Sequence, residues 1–237
     1  MAVFVTGAGG FLGQTLVNIL IGQGKQVLGF DYNAPPEATL AKWKGKAEFV
    51  KGDIRDAALI ADLVKKSGTT DPIIHLAGIL TAGCDRDPQA AMAINMGGTN
   101  NVLDAAVVNG KRRVIFASTI GVYGRGLPQP ITEDMKKEPD GWYGLTKMAA
   151  EEIGLLYVRR HGLDFRALRF AADDQGQMVV TKIVAQLVRA FKRNKYGKGV
   201  NHRVETRRGK PRRHPRHVTF GNTAVIKPLR KGLGKIR

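Results

Sequence analysis

Two residues of suitable type for proton transfer stand four positions apart in the chain, Tyr143 and Lys147. On a helix this spacing places both side chains on one face, one turn apart. A free tyrosine has a pKa of about 10 and is a poor base at neutral pH. An ammonium group nearby favours the phenolate, which could take the proton of a substrate hydroxyl. Taken alone, the pair is also typical of an ordinary amphipathic helix face, so its meaning depends on what precedes it.

Two hydroxyl side chains, Ser118 and Thr119, end an apolar run that predicts a buried strand. The carboxyl ends of parallel strands border the ligand crevice of a doubly wound sheet. We therefore predict Thr119 as the catalytic hydroxyl that binds the same substrate oxygen as Tyr143. Ser118 is predicted as a supporting contact. The alternative for either residue is a hydroxyl that caps the backbone at the strand end.

The sequence TGAGGFLG opens five residues into the chain, between two apolar runs. This pattern predicts a strand, a glycine turn and a helix that together bind a dinucleotide. Gly7 permits the tight turn, Gly10 lets the backbone approach a pyrophosphate, and Gly13 lets helix and strand pack closely. The pyrophosphate would lie on free N–H groups at the helix N-terminus, where Phe11 and Leu12 begin the helix.

Asp31 ends the second predicted strand, 18 residues after Gly13. A carboxylate at this place accepts hydrogen bonds from the adenosine ribose hydroxyls and repels the 2′-phosphate of NADP. The next residues, Tyr32 and Asn33, supply no arginine to counter that repulsion, so we expect NAD as the cofactor. A surface turn aspartate is the alternative.

Two further strand ends supply candidate cofactor contacts. Asp53 and Ile54 end the third predicted strand and are expected to hold the adenine, Asp53 by a polar contact and Ile54 by packing. The alternative for Asp53 is the N-cap of the helix that begins near Asp56. The fourth strand contains His75, which we expect to be a hydrogen-bonded core residue. That strand ends in small or apolar residues that let a cofactor lie against the backbone: Leu76, Ala77 and Gly78.

The first 170 residues alternate between predicted strands and helices, which indicates an α/β fold with a doubly wound parallel sheet of the Rossmann type. Right-handed crossovers then give the strand order 3-2-1-4-5-6, with the ligand crevice where the order reverses. The predicted strands cover residues 2–6, 26–31, 47–51, 72–76, 113–118 and 164–169. The predicted helices cover residues 11–23, 56–66, 88–109 and 142–161.

The charge of the chain changes abruptly near Phe170. Residues 1–170 carry 20 Lys/Arg and 17 Asp/Glu, a net charge of +3, whereas residues 171–237 carry 18 and 3, a net charge of +15. We therefore predict a NAD-binding domain at 1–170 and an atypical basic segment at 171–237. A helix is predicted near 178–192, and the rest of the segment is predicted as loop or disordered. One face of that helix carries Ile183, Leu187, Val188 and Phe191.

Composition excludes several classes of protein. A single cysteine, Cys84, excludes an intrachain disulfide and a multi-cysteine metal site, and no metal is expected. No apolar run approaches the roughly 18 residues of a membrane span. We therefore expect a cytoplasmic protein without a membrane partner.

These residues together resemble the extended short-chain dehydrogenase/reductase family, in its NAD-dependent epimerase/dehydratase branch. The resemblance implies that Thr119, Tyr143 and Lys147 form the catalytic set, and that Asn95 lies near the nicotinamide and the substrate. It covers about residues 1–170. The matching segments are 6–13, Asp31, 52–54, 75–78, Asn95 with 98–99, 118–124, 143–147 and 168–170.

The resemblance implies an oxidoreductase that acts on a hydroxyl of a nucleotide sugar or related small molecule, as an epimerase (an isomerase) or a dehydratase. A simple NAD-dependent dehydrogenase of a small hydroxy substrate is the first alternative. The second is a non-catalytic NAD-binding protein whose basic tail binds nucleic acid without sequence preference. A homodimer through helices at 95–108 and 143–158 is a further expectation. The tail itself has three open origins: a divergent substrate region, a basic interaction tail or a shifted reading frame.

Overall fold

The structure, a computed structural model, describes residues 1–110, 113–126, 131–170 and 180–192. Strands and helices alternate along these residues. The strands are β1 (Val3–Thr6), β2 (Val27–Asp31), β3 (Ala47–Lys51), β4 (Ile73–His75), β5 (Arg113–Thr119) and β6 (Asp164–Phe170). The helices are α1 (Phe11–Gly22), α2 (Glu37–Trp43), α3 (Ala57–Ser67), α4 (Thr81–Arg86), α5 (Pro88–Ala91), α6 (Gly98–Val108), α7 (Trp142–His161) and α8 (Val180–Lys192).

The six strands form one parallel sheet in the order β3-β2-β1-β4-β5-β6. This confirms the predicted doubly wound fold and its strand order. The chain begins at the centre of the sheet, winds to one edge, and returns through β4 to the other edge. The carboxyl ends of β1 and β4 therefore border the crevice where such folds bind ligands.

Helices cover both faces of the sheet, which explains why the strands are apolar on both sides. On one face, α3, α6 and α7 pack over a cluster that includes Phe4, Leu103 and Phe116. On the other face, α1, α2 and α8 enclose a second cluster that includes Leu16 and Ile115. The sheet is thus the middle layer of three and holds the strand ends in fixed positions.

Helix α8 belongs to this second layer. Its side chains Ile183 and Leu187 are buried in the same cluster as Phe170 of β6. The buried guanidinium of Arg166, in β6, donates a hydrogen bond to the carbonyl of Ala190 at 3.5 Å. The predicted helix near 178–192 is therefore present and packs on the sheet. The basic residues 193–237 lie outside the described part of the chain, and the predicted domain boundary at 170 stays a prediction.

Two short helices, α2 and α4, were not predicted, and the predicted helix at 88–109 is divided. Helix α2 occupies only seven residues and is held by Trp43, whose indole N–H donates to Asn18 at 2.8 Å. Between α5 and α6 the chain makes a π-helical turn at Met92–Gly97. Such turns occur often at functional sites, and this one carries Asn95.

Candidate active site

The glycine turn between β1 and α1 has the geometry that its predicted role requires at two of its three positions. Gly7 has φ +75°, and a Cβ there would lie 2.7 Å from the backbone nitrogen of Ala77. A Cβ at Gly13 would lie 2.0 Å from the carbonyl oxygen of Gly7. Both positions therefore require glycine, one for the turn against β4 and one for the packing of α1.

Gly10 differs, because a Cβ there would meet only the carbonyl oxygen of Gly7, at 3.5 Å. The chain itself therefore does not demand glycine at this position. Helix α1 starts at Phe11 without a side-chain cap and without an acidic residue in its first turn. Its first N–H groups, those of Phe11 and Leu12 among them, are suited to an anion. That Gly10 lets the backbone approach a pyrophosphate stays a prediction. The open space at Gly10 and the uncapped start of α1 support it.

The carboxylate of Asp31 lies beside the glycine turn. Its Oδ2 accepts the backbone N–H groups of Gly9 at 2.9 Å and Gly10 at 3.2 Å, while Oδ1 accepts that of Asn33 at 3.2 Å. Asp31 therefore orders the turn, a role that the sequence did not indicate. A carboxylate has about four acceptor positions, so these contacts are compatible with the predicted ribose contact.

The residues after β3 are placed differently from each other. Asp53 pairs with the guanidinium of Arg55 at 2.5 Å, and this hydrogen bond holds the pKa of Asp53 below its usual value. Asp56, not Asp53, caps α3 by accepting the N–H of Leu59, so the capping alternative for Asp53 is wrong. The side chain of Ile54 is only 5% exposed and packs in the core. The packing of Ile54 on an adenine stays a prediction.

The end of β4 connects the glycine turn to helix α7. The N–H of Ala77 donates to the hydroxyl of Thr6 at 3.2 Å, and that of Leu76 donates to the Thr6 carbonyl at 3.1 Å. A Cβ at Gly78 would lie 2.8 Å from Oδ1 of Asn95 and 3.4 Å from Nζ of Lys147. The predicted cofactor segment and the predicted catalytic helix thus meet at Gly78.

Lys147 is buried and directed at the end of β5. Its Nζ donates to the carbonyl of Ala117 at 3.0 Å and lies 4.6 Å from the centre of the Phe116 ring. The centre of the Tyr143 ring is 5.9 Å away. Burial lowers the pKa of Lys147 to about 8, so the ammonium form persists at neutral pH.

The pKa of Tyr143 moves against expectation. Burial raises it to about 12, and the nearby Cys84 adds to the rise. The side chains of the chain therefore do not by themselves favour the phenolate, because burial of the ring disfavours its charged form. Any phenolate at neutral pH needs further positive charge.

Thr119 and Ser118 point to different surroundings, as neighbours on a strand do. The hydroxyl of Thr119 accepts the N–H of Gly121 at 3.1 Å and is partly exposed. The hydroxyl of Ser118 is buried and donates to Oε1 of Glu151 at 2.5 Å. Its proton is thus engaged with a buried carboxylate, and its supporting contact with the substrate oxygen stays a prediction.

The sequence of the chain matches a known family over most of its length. Residues 3–219 match the profile of the NAD dependent epimerase/dehydratase family. The chain belongs to this family. Its members are NAD-dependent enzymes, and this agrees with the fold and with the glycine turn described above.

Three relatives show the range of the family. The chain is 34% identical over 181 residues to mitochondrial L-threonine 3-dehydrogenase of Sus scrofa, covering 73% of this chain and 47% of the relative. It is 36% identical over 169 residues to UDP-glucose 4-epimerase of Mycolicibacterium smegmatis, with coverages of 69% and 53%. The structure of the dTDP-glucose 4,6-dehydratase DesIV of Streptomyces venezuelae, with NAD and TYD bound, is similar at a TM-score of 0.67 and 29% identity, with coverages of 80% and 62%. The chain spans about half the length of the curated relatives that it matches.

Asn95, which the resemblance to the epimerase/dehydratase family places near the nicotinamide, is buried in the π turn. Its Oδ1 accepts the N–H of Ile79 at 2.9 Å, and its Nδ2 donates to the Ile79 carbonyl and to the hydroxyl of Thr146, both at 3.1 Å. Asn95 therefore fixes the chain just after Gly78 against α7. Its contact with a nicotinamide stays a prediction.

His75 is confirmed as a hydrogen-bonded core residue. Its Nδ1 lies 2.6 Å from the hydroxyl of Thr6, and its Nε2 lies 3.0 Å from that of Thr99. Burial, with a contribution from the Lys147 charge, lowers the pKa of His75 to about 3. The ring is therefore neutral, and it couples β1 and β4 to α6.

The sequence did not indicate the role of the polar residues that hold the site from behind. Four of the five lie in segments that match the family, but most of their partners lie far away in the chain, so no local pattern predicts these contacts. The five residues are Thr6, Thr99, Thr146, Glu151 and Arg169.

None of the helices in the described part is long and apolar enough to cross a bilayer. Across those same residues, no group of three or more His, Cys, Asp or Glu side chains could hold a metal ion.

Proposed function

We propose that this chain binds NAD in the crevice at the carboxyl ends of β1 and β4 and acts as an epimerase/dehydratase-type oxidoreductase. Its substrate is then the hydroxyl of a nucleotide sugar or related small molecule. The observation that carries the proposal is the meeting at Gly78. There a Cβ added to the segment that packs on Gly7 would lie only 3.4 Å from Nζ of Lys147. A dinucleotide that starts at the glycine turn would reach the catalytic helix along this segment.

The donor groups of the crevice fit a dinucleotide. The open space at Gly10 and the uncapped start of α1 suit a pyrophosphate at Gly10, Phe11 and Leu12. Asp31 suits a ribose, and Asp53 remains a candidate for the adenine. A bound NAD would supply a hydride acceptor for the substrate and, in an epimerase or dehydratase, the hydride donor for the return step. The residues that would face its nicotinamide half are Leu76, Ala77, Gly78, Asn95, Tyr143 and Lys147.

Three residues of this site would bind the substrate hydroxyl and remove its proton. Thr119 binds the substrate oxygen through its partly exposed hydroxyl. Tyr143 removes the proton from that oxygen, which requires its pKa to fall from about 12. The ammonium of Lys147, held by the Ala117 carbonyl, supplies one of the positive charges that lower it. The positive ring of a bound oxidised cofactor would supply another.

A simple dehydrogenase is the second candidate, and the identity to L-threonine 3-dehydrogenase favours it. It would use Thr119, Tyr143 and Lys147 in the same way and release NADH. A stoichiometric rise in NADH absorbance during turnover supports the dehydrogenase over the epimerase. A third candidate is an NAD-binding protein without turnover, which would bind NAD in the calorimetric titration but show no catalysis.

Two partners stay predictions. Exposed apolar side chains on α6 and α7, including Val108, Leu145 and Leu156, support the proposed homodimer, and sedimentation of the purified chain tests it.

Nucleic-acid binding by the basic tail rests on its composition alone, because residues 193–237 lie outside the described part of the chain. Removing residues 195–237 and measuring RNA and DNA retention at low salt tests that prediction.

A calorimetric titration with NAD tests the proposed function. Gly10→Ala puts a methyl group into the space meant for pyrophosphate, at an ordinary contact distance of 3.5 Å from the Gly7 carbonyl oxygen, so we expect a normal fold and loss of NAD binding. Gly22→Ala, at the other end of helix α1, meets nothing within 4 Å and is the matched control. A wild-type protein that shows no binding at millimolar NAD, or a Gly10→Ala variant that binds like the wild type, contradicts the proposal.

A further inference from the structure

A buried carboxylate, Glu151, lies in α7 one helical turn after Lys147. Only 1% of its surface is exposed. Burying a charged carboxylate is costly unless it is paired and hydrogen-bonded. Glu151 has no place in the proton transfer proposed above, and the family resemblance gave it no role. Its partners therefore indicate why the chain keeps it.

Two neighbouring hydrogen bonds join the end of β5 to α7. The carbonyl of Ala117 accepts Nζ of Lys147 at 3.0 Å, and the hydroxyl of Ser118 donates to Glu151 at 2.5 Å. Consecutive residues of the strand are thus bonded to residues one turn apart on the helix. Thr119 is the next residue of the strand. The distance from Thr119 to the helix that carries Tyr143 is therefore set by these two bonds.

Arg169 supports the same carboxylate from the neighbouring strand. It is the register partner of Ser118 in β6, so both side chains lie on the α7 face of the sheet. Its Nε donates to Oε1 of Glu151 at 2.9 Å and its Nη2 to Oε2 at 2.6 Å. Lys137, in the segment before α7, lies 3.0 Å from Oε2. Tyr123, after β5, in turn contacts Arg169.

We propose that Glu151 is a positioning residue that holds the end of β5, with Thr119, against the helix that carries Tyr143 and Lys147. It joins four segments at one point: β5, β6, α7 and the segment that precedes α7. This inference rests on the proposed function, since it concerns the same three catalytic residues. Glu151 itself touches neither substrate nor cofactor in this scheme.

The charges around the site fit this role. Burial raises the pKa of Glu151, but hydrogen bonds and charge from Arg169, with help from Lys137 and Ser118, outweigh burial and lower it overall. The carboxylate in turn raises the pKa of Lys147 against the lowering by burial. The titratable and charged groups that affect or surround Lys147 and Glu151 are His75 of β4, Cys84 of α4, Tyr143 of α7, Arg169 of β6 and Lys137.

The first measurement is the pH dependence of the NAD dissociation constant in Glu151→Gln. This variant keeps the shape of the side chain and removes its charge. Lys147 then loses its proton at lower pH, so the loss of NAD affinity begins at lower pH than in the wild type. Near pH 8 we expect a several-fold weaker affinity than that of the wild type. Glu152→Gln is the matched control, because Glu152 is the next residue, also pairs with Lys137, and has a side chain 55% exposed. Its pH profile should equal that of the wild type.

The second measurement is hydrogen exchange, which needs no NAD. In Glu151→Gln we expect faster exchange at residues 117–121 and 143–148 and unchanged exchange in β1, β2 and β3. If this variant does not fold, Ser118→Ala, which removes one bond without changing charge, should give the same local pattern. The inference is overturned if the pH profile of NAD binding in Glu151→Gln equals that of the wild type. It is also overturned if hydrogen exchange in the variant is unchanged, or is faster throughout the protein rather than at the named residues. A wild type that binds no NAD overturns the proposed function instead, and the exchange pattern then decides the positioning role alone.

Discussion

The carboxylate of Asp31 accepts the backbone N–H of Gly9 at 2.9 Å, and the same oxygen accepts that of Gly10. The residue that ends β2 therefore holds the turn that follows β1. Charge-assisted hydrogen bonds of this kind are roughly twice as strong as neutral ones. The nucleotide-binding turn is thus ordered by the side chain that is also expected to bind the ribose.

Asp31→Asn should weaken NAD binding by about tenfold or more, which corresponds to about 1.4 kcal/mol. The amide carries no charge to attract the two N–H groups, and its NH2 group cannot accept a ribose hydroxyl. Calorimetry of the purified variant measures the effect. Asp62→Asn, an exposed position on α3, should bind NAD like the wild type. Equal affinity in Asp31→Asn would show that neither role of the carboxylate matters for binding.

The buried ammonium of Lys147 should make stability rise with pH in the alkaline range. Its pKa is about 8 in the folded protein and about 10.4 in an unfolded chain. Between these values the unfolded chain binds one more proton, so the free energy of unfolding increases with pH. Compared with Lys147→Met, the wild type should gain about 3 kcal/mol from pH 8 to pH 10.5.

Denaturant unfolding at several pH values measures this difference. Lys66→Met removes an exposed lysine of α3 and should leave the pH dependence unchanged. A constant difference between the wild type and Lys147→Met over the range would contradict the burial of a charged Lys147.

His75 should destabilise the protein in acid. Its pKa is about 3 when folded and about 6.5 when unfolded, so the unfolded chain binds one more proton between these values. The free energy of unfolding therefore falls as the pH drops from 6.5 towards 3, by on the order of 4 kcal/mol for this group. His75→Gln should lose that part of the acid sensitivity, whereas substitution of the exposed His161 should not. Acid titrations followed by circular dichroism compare the three proteins.

Helix α8 should contribute strongly to stability, although it lies after the change in composition at Phe170. Leu187 is fully buried between α8 and the sheet, whereas Arg189 is exposed. Leu187→Ala should cost about 2–5 kcal/mol, and Arg189→Ala should cost little. Thermal or denaturant unfolding of the full chain tests both. Similar costs for the two variants would mean that α8 does not pack as described.

The sequence was sufficient for the sheet because each strand is an apolar run bounded by turn residues. Val114 to Ala117, for example, needs burial on both sides wherever it lies. The same pattern was insufficient for α2, because its seven residues make only about two helical turns, too few to show a periodic apolar pattern. Helix α6 was recognised, but its extension through the π turn as one helix was not correct.

The site was predictable where one residue sufficed and unpredictable where distant residues meet. The roles of Gly7 and Gly13 follow from the absence of a side chain, which the sequence shows directly. The partner of Ser118 is a carboxylate 33 residues away, and no local pattern connects the two. The direction of the Tyr143 pKa depends on how deeply the ring is buried, which the spacing to Lys147 does not reveal.

The π turn at Met92–Gly97 has a consequence for how this segment can change in length. Ala91 lies before the turn, Asn95 within it and Thr99 after it, and all three are buried. A π turn already holds one residue more than an α-helical turn, so one further residue inserted between 92 and 94 would rotate the later two by about 100° relative to Ala91. Asn95 would then leave Ile79, and Thr99 would leave His75. Natural variants of this protein should therefore exchange residues in the segment but add none.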